Sequence, residues 1–525
     1  MATVGCMNRR AQFATILVAV TAVLAGCAPG LAANPQFATD NGHSGGGPTS
    51  APPPADGPQP IAAPTNDLSW TDCTSRVFGA AALPAPPGVT MDCATYDADL
   101  DSINGATGSL NIGVVRARSV QTPADAGPVV FTTGSDLPTS LQLPVWLTRS
   151  GYDILKTHPI VAVDRRGMGM SSAVDCRDLY DRQEMRDQAQ FESGDDPVAS
   201  LGAVTMTATT SCTDTIAPGD SAYDNAHAAE DIEKLRSIWD VPSLALVGIG
   251  NGSQVALAYA GSHPDKVSRL ILDSPIPLGI NAEAAAEQQV KGQQAALDAF
   301  ATQCAAVSCP LGSDPKAAVD SLLESARAGN GPGGASVASL VNAIVTALAF
   351  PDGDRATNTT RLASALASAR AGDENQLNNL IDQADALRET DGQFINQCSD
   401  SLNRPTPDRV RELVVAWSKL YPQFGRVAAL NLVKCLNWPS GTAPDAPKDL
   451  KVGVLLLGVQ NDPIAGSEGT AATAAIIINS GATSKRVMWQ GIGHGASIYT
   501  GCAMGPLIAY LESGKTPETD TYCPA

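Results

Sequence analysis

A chain of 525 residues with 53 Asp and Glu against 34 Lys and Arg carries a formal charge of −19 at pH 7. The length allows one large domain, or a domain with a sizeable insertion. The charge excludes attraction to nucleic acid or to anionic lipid headgroups, so any membrane contact requires an anchor.

The first element is read as that anchor, against a transmembrane span or a simple secretory signal. Arg9 and Arg10 precede an apolar run over residues 13–24 that ends in Leu24-Ala25-Gly26-Cys27. A basic end, a short apolar stretch and small residues before a cysteine resemble a bacterial lipoprotein signal. The resemblance implies a signal segment over 1–27, acylation of Cys27, and a mature protein anchored to the cell membrane and facing outside. The run is short for a transmembrane span. A start at Met7 would leave Cys6 outside the natural product. Residues 28–67 are rich in Pro, Gly, Ala and Ser and lack apolar periodicity, which predicts a flexible tether.

The folded part begins near Trp70. Short apolar runs at 128–132, 159–163, 244–247, 269–272, 452–459 and 486–489 predict strands buried on both faces. Between them, 228–239 puts Ile232, Leu235 and Ile238 on one helical face, and 253–262 continues as helix. Strand alternating with helix predicts an α/β, doubly wound, mostly parallel sheet. From 280 to 445 the rhythm gives way to Ala- and Gln-rich helical sequence, including 283–300 and 361–388, which predicts a helical cap. The domain reading is therefore a core over 68–279, a cap over 280–445, and a return to the core over 446–525. An insertion there lies over the carboxyl ends of the strands, where open α/β sheets keep their sites.

Beyond Cys6 and Cys27 stand ten cysteines. In an exported chain their even number, the lack of paired C-x-x-C elements and the scarcity of histidine favour disulfides, with zinc as the alternative. Neighbours in sequence are natural partners: Cys73 with Cys93, Cys176 with Cys212, Cys304 with Cys309, Cys398 with Cys435, and Cys502 with Cys523. The sequence alone does not fix that connectivity. No metal site and no cofactor motif is read.

The segment Leu244-Ala245-Leu246-Val247-Gly248-Ile249-Gly250-Asn251-Gly252-Ser253 has the form of a nucleophile elbow, in which a strand turns sharply into a helix with the reactive residue at the apex. The apex is Gly250. Further stretches carry a specific likeness: Trp70-Thr71-Asp72-Cys73, Met91-Asp92-Cys93, Val163-Asp164-Arg165-Arg166-Gly167-Met168-Gly169-Met170-Ser171, Asp298-Ala299-Phe300 with Cys304 and Cys309-Pro310-Leu311, Cys435-Leu436-Asn437-Trp438-Pro439, Gly458-Val459-Gln460-Asn461-Asp462-Pro463, and Gly491-Ile492-Gly493-His494-Gly495. From Trp70 to Cys523 the chain resembles the tripeptidyl aminopeptidase-like α/β-hydrolases of actinobacteria, exported serine peptidases with a cap and a characteristic C-terminal segment.

The resemblance implies an α/β-hydrolase fold and a triad at Gly250, Asp462 and His494. Two of the three chemical groups remain, and His494 has no oxygen at 250 to deprotonate. A second departure lies in the loop that supplies oxyanion amides in the family. Here it reads Phe131-Thr132-Thr133-Gly134-Ser135-Asp136-Leu137-Pro138, and a carboxylate at Asp136 opposes a developing oxyanion. A hydroxyl restored by Gly250→Ser is expected within reach of His494. Ser253, just inside the helix, is expected to cap or pack locally, with a displaced nucleophile as the alternative. Asp462 and His494 read either as a leftover pair joining two loops or as a general base acting on water. Asp164, Arg166 and Gly167 read as turn-builders, and Trp438 as cap core.

Two functions follow. One is a non-catalytic envelope binding or scaffolding protein that holds a peptide, lipid or protein partner in the cap pocket. The other is a serine hydrolase or peptidase releasing N-terminal peptides by unorthodox or residual chemistry. An acidic pocket for a peptide's α-amino group would suit the family's substrates. The sequence names neither ligand nor oligomeric state.

Overall fold

The computed structural model describes residues 59–188 and 194–525. The signal segment, Cys27 and the tether up to residue 58 lie outside the described residues.

Among the described residues ten strands form one sheet: β1 (Thr71–Asp72), β2 (Val89–Asp99), β3 (Ser109–Ser119), β4 (Val129–Thr132), β5 (Ile160–Val163), β6 (Leu244–Ile249), β7 (Val267–Asp273), β8 (Val454–Asn461), β9 (Ser484–Ile492) and β10 (Thr521–Cys523). Their order is β1-β2-β3-β5-β4-β6-β7-β8-β9-β10. From β5 to β10 every pairing is parallel, while β1, β2 and β3 add an antiparallel margin. The α/β-hydrolase class anticipated from the sequence is the class observed. The six apolar runs became β4 to β9. The β2–β3 hairpin escaped that reading because its charged residues alternate with apolar ones, as in a strand with one face in water.

Period-two alternation divides the core between the two faces of the sheet. Val129, Phe131, Val247 and Leu455 point to one face and pack on Leu143, Trp146, Leu507 and Tyr510. Val130, Leu246, Leu270 and Leu456 point to the other and pack on the helices Asn225–Trp239 and Asn251–Ser262. The first of these helices starts at Asp224, whose side chain accepts the His227 N–H, and ends at Asp240 in the left-handed region.

Between β7 and β8 run eight helices from Ala282–Ala306 to Gly425–Asn431 around a separate apolar cluster. The helical stretch expected over 361–388 is two helices, Arg355–Arg370 and Asn375–Arg388, because Gly372 (φ 92°) breaks it. A helix that precedes β6 packs with this cluster as well. Val198 and Leu201 of the helix Pro197–Ile216 belong to the cap cluster, and Cys212 packs with Phe394 and Trp438. The segment before β6 thus contributes to the cap, joined by packing that a linear reading does not reveal. Trp438 is buried there, edge-on to Phe394 at 5.5 Å.

Among the described residues five disulfides form, pairing Cys73–Cys93, Cys176–Cys212, Cys304–Cys309, Cys398–Cys435 and Cys502–Cys523. No described helix is long and apolar enough to cross a membrane.

Candidate functional site at the empty elbow

Strand order reverses at β4, with β5 on one side and β6 on the other. Loops leaving the carboxyl ends of β4 and β6 therefore diverge and leave a crevice between them. Thr132 is level with Gly248 across that pair, so the loop after β4 faces the elbow after β6.

At the apex Gly250 has φ 57° and ψ −122°, a conformation that residues with a Cβ avoid. Its N–H donates to the Asp273 carbonyl at 3.0 Å. Gly252, two residues on, lies so close to β4 that a Cβ would overlap the Thr132 carbonyl. The elbow is intact as backbone.

The family's three positions come together. His494 follows β9 and Asp462 follows β8, and His494 Nδ1 lies 3.0 Å from Asp462 Oδ2. Asp462 Oδ1 also accepts the N–H groups of Ile464 and Ala465, each at 2.9 Å. His494 Nε2 points to the apex, where a Cβ on Gly250 would lie 2.5 Å from it.

That space is occupied by Asp136. Its Oδ2 lies 3.3 Å from His494 Nε2 and accepts the Asn251 N–H at 2.7 Å. A Cβ built on Gly250 would overlap the same oxygen. The two departures read separately from the sequence are thus one exchange in space. The apex has no side chain, and the facing loop sends a carboxylate into the room left. The expectation for Gly250→Ser changes accordingly, since the hydroxyl reaches His494 only if Asp136 leaves.

The charges follow from this arrangement. Burial alone would lower the His494 pKa, but the charge of Asp462 and the hydrogen bond to Asp136 outweigh it and push the value up to about 10. At neutral pH the ring is an imidazolium between two carboxylates, with both nitrogens donating. The Asn251 amide, which in an active elbow faces the oxyanion, is already engaged by a carboxylate.

Ser253 lies apart from this group in its bonding. Its hydroxyl donates to the Gly250 carbonyl at 2.6 Å and accepts the Ile276 N–H at 3.1 Å, and it is fully buried. It braces the elbow. Asp164 accepts from Ser140 and Met170, and Arg166 forms a buried pair with Asp231 at 2.7 Å. Burial raises the Asp164 carboxyl above its usual range despite those bonds.

Other groups at the site were not singled out from the sequence. Arg165 reaches Asn251 Oδ1 at 2.6 Å and the cap residue Asp400 at 2.7 Å, tying the elbow to the cap. Asp273 and Ser274, at the end of β7, accept three backbone N–H groups from Gly495 to Ser497 and so hold the histidine loop. Burial raises the Asp273 pKa. From the cap, Gln393 donates to the Asp136 carbonyl at 2.8 Å and the Ala349 carbonyl accepts the His494 N–H at 2.8 Å. An acidic residue at a strand end, level with the elbow, was the available signal for Asp273. The cap contacts had none. Among the described residues no group of three His, Cys, Asp or Glu is arranged to hold a metal.

Over the elbow lies a cavity of about 320 Å³ between core and cap, lined by Asp136, Asn251, Phe350, Arg388 and Asp400 among others.

A family model described as TAP-like protein matches residues 421–523. Curated relatives named serine protease Hip1, from Mycobacterium bovis and Mycobacterium tuberculosis, are 24% identical over 257 residues, which is 48% of this chain and 48% of theirs. The chain thus spans about half the length of the curated relatives it matches. Among solved structures, esterase E22 aligns at 13% identity with a TM-score of 0.39, covering 81% of this chain and 99% of that one. The enol-lactonase from Burkholderia xenovorans LB400 aligns at 12% and 0.36, covering 77% and 96%.

Proposed function

We propose that this protein, a TAP-like α/β-hydrolase, has left serine chemistry and acts as a binding protein of the cell envelope, holding a peptide, lipid or protein segment in the cavity above the elbow. The observation that carries the reading is the Asp136 carboxylate, which fills the space a nucleophile's side chain would need. It engages His494 and an oxyanion amide together. Loss of a triad serine costs about a millionfold in turnover in another serine peptidase, with the remainder resting on the oxyanion hole and binding. Here the hole is filled as well.

A hydrolase using His494 to activate water is the competing reading. An imidazolium has no lone pair to accept water's proton, and the value of about 10 keeps it protonated at neutral pH. Five disulfides support an oxidising, exported setting. The anchor in this reading is acylated Cys27.

A serine-directed fluorophosphonate tests the chemistry. The purified wild type is expected to show no mass increase; an adduct mapped to a hydroxyl and abolished by His494→Ala overturns the reading. Detergent-phase partitioning tests the anchor. Cys27→Ala is expected to release the protein or block its processing, and unchanged partitioning excludes acylation at that residue.

A further inference from the structure

We propose that the cavity takes a ligand bearing a single carboxylate on an apolar body, the carboxylate being held by Arg388 in the cap. This deepens the binding reading and rests on it for the cavity being the ligand site.

Four cationic side chains line the cavity. Three have acidic partners: Arg177 pairs with Asp391 at 2.8 Å, Arg186 with Asp187 at 2.7 Å and Asp385 at 3.1 Å, and Lys434 with Glu389 at 3.5 Å. Arg388 differs. Its one hydrogen bond among the described residues is from Nη1 to Asn342 Oδ1 at 3.2 Å, and it makes no ion pair there. Burial lowers its pKa, and the charges of Glu389 and Asp136 offset that only in part. Asn342 gives its Oδ1 to that bond, while its Nδ2 is shielded from the cavity and has no partner. A guanidinium with unspent N–H groups thus stands on one wall without an acceptor of opposite charge. A carboxylate matches its remaining donors in geometry and charge.

The rest of the wall sets the body and the valence. Ile276, Val341, Val345, Phe350, Phe394 and Ile464 give the cavity long apolar surfaces. Asp136, Glu389 and Asp400 line it as well, so a dianion would gain one cation and face three carboxylates. A monoanion with an apolar body satisfies Arg388 with least repulsion. The volume lies at the small end of the range for enclosed small-molecule sites. The helix dipole accounts for a cation in the last turn of Asn375–Arg388, but it does not explain why that guanidinium reaches to a neighbouring helix and is left there half-satisfied.

Decanoate and decanol share a body and differ in the headgroup, so calorimetric titration of the mature protein with each isolates the carboxylate. The wild type is expected to bind decanoate at least tenfold more tightly, about 1.4 kcal/mol. Arg388→Gln is expected to abolish the preference, and Arg388→Lys to restore part of it. Equal binding of the two probes, binding of neither, or a preference that survives Arg388→Gln overturns the proposal. If Arg388→Gln does not fold, Asn342→Leu is read instead, with the preference expected to shrink and an unchanged preference counting against the site. Fluorophosphonate labelling of the wild type would defeat the silent-elbow reading by itself, so the two failures are distinguishable.

Discussion

His494 has a carboxylate on each side of its ring, and the two are held in different ways. Asp462 leaves the end of β8 with one oxygen already fixed by the amides of Ile464 and Ala465. Its position is set by its own strand and turn, whether or not the imidazole is present. Asp136 sits in a turn whose N–H returns to Thr133, and its Oδ2 finds its partners across the crevice, in the Asn251 amide and His494 Nε2. One carboxylate is placed by its backbone and the other by the room that Gly250 leaves. The difference separates a residue that orients the histidine from one that occupies it.

The sharpest way to break this comparison is to return the apex to a hydroxyl. Gly250→Ser alone puts a Cβ into the Asp136 carboxylate at a backbone position that already disfavours side chains. It should lose about 2–6 kcal/mol of stability, combining overpacking with backbone strain, and remain unlabelled by fluorophosphonate. Combined with Asp136→Gly it should regain part of that stability and label at least ~100-fold faster than the single variant, because the amide and the ring are freed together. Intact-mass time courses and urea midpoints read both. Labelling of the single variant at the same rate as the double would show that Asp136 does not block the seat.

A smaller effect separates the two carboxylates directly. Asp462→Asn removes the charge that is fixed by backbone and leaves the buried imidazolium only the longer contact to Asp136 at 3.3 Å, so it should cost about 3–5 kcal/mol. Asp136→Asn leaves the Asp462 pair intact and should cost about 1–3 kcal/mol. Urea unfolding compares them, and equal losses would mean that the two positions are equivalent.

The pH dependence gives a third measure. The folded-state His494 value lies above the ordinary 6.5, at about 10, so the stability its proton brings is complete below about 6.5 and is lost as pH rises through 10. The wild-type melting temperature should therefore fall over that interval by several degrees more than that of His494→Gln. In Asp136→Asn the upper edge of the interval should move down. Identical pH profiles for wild type and His494→Gln would place the proton elsewhere.

What the sequence discloses and what it withholds follow from locality. The elbow is contiguous from Leu244 to Gln254, and β4 to β9 are apolar runs, so each is visible in a short window. Asp462 and His494 stand at strand ends in family-like segments. The meeting of Asp136 with the elbow joins residues 115 positions apart, and that of Arg165 with Asp400 joins residues 235 apart. No window contains either. The signal for the first was a pair of changes, a side chain lost at Gly250 and a charge gained on the facing loop, and only geometry shows that they share one volume.

The two hydrogen bonds that join site and cap, from the His494 N–H to the Ala349 carbonyl and from Gln393 to the Asp136 carbonyl, bear on more than placement. They make the cap a determinant of the proton affinity of His494, because both groups that meet at Nε2 are positioned partly by it. Thermodynamic reciprocity then requires that a ligand which shifts the ring's proton affinity by some factor have its own affinity changed by protonation by the same factor. A ligand that moved those helices would be linked to proton uptake or release in the range where the ring titrates, near pH 10, with a sign set by whether the occupied cap held Asp136 nearer to the imidazole or farther from it.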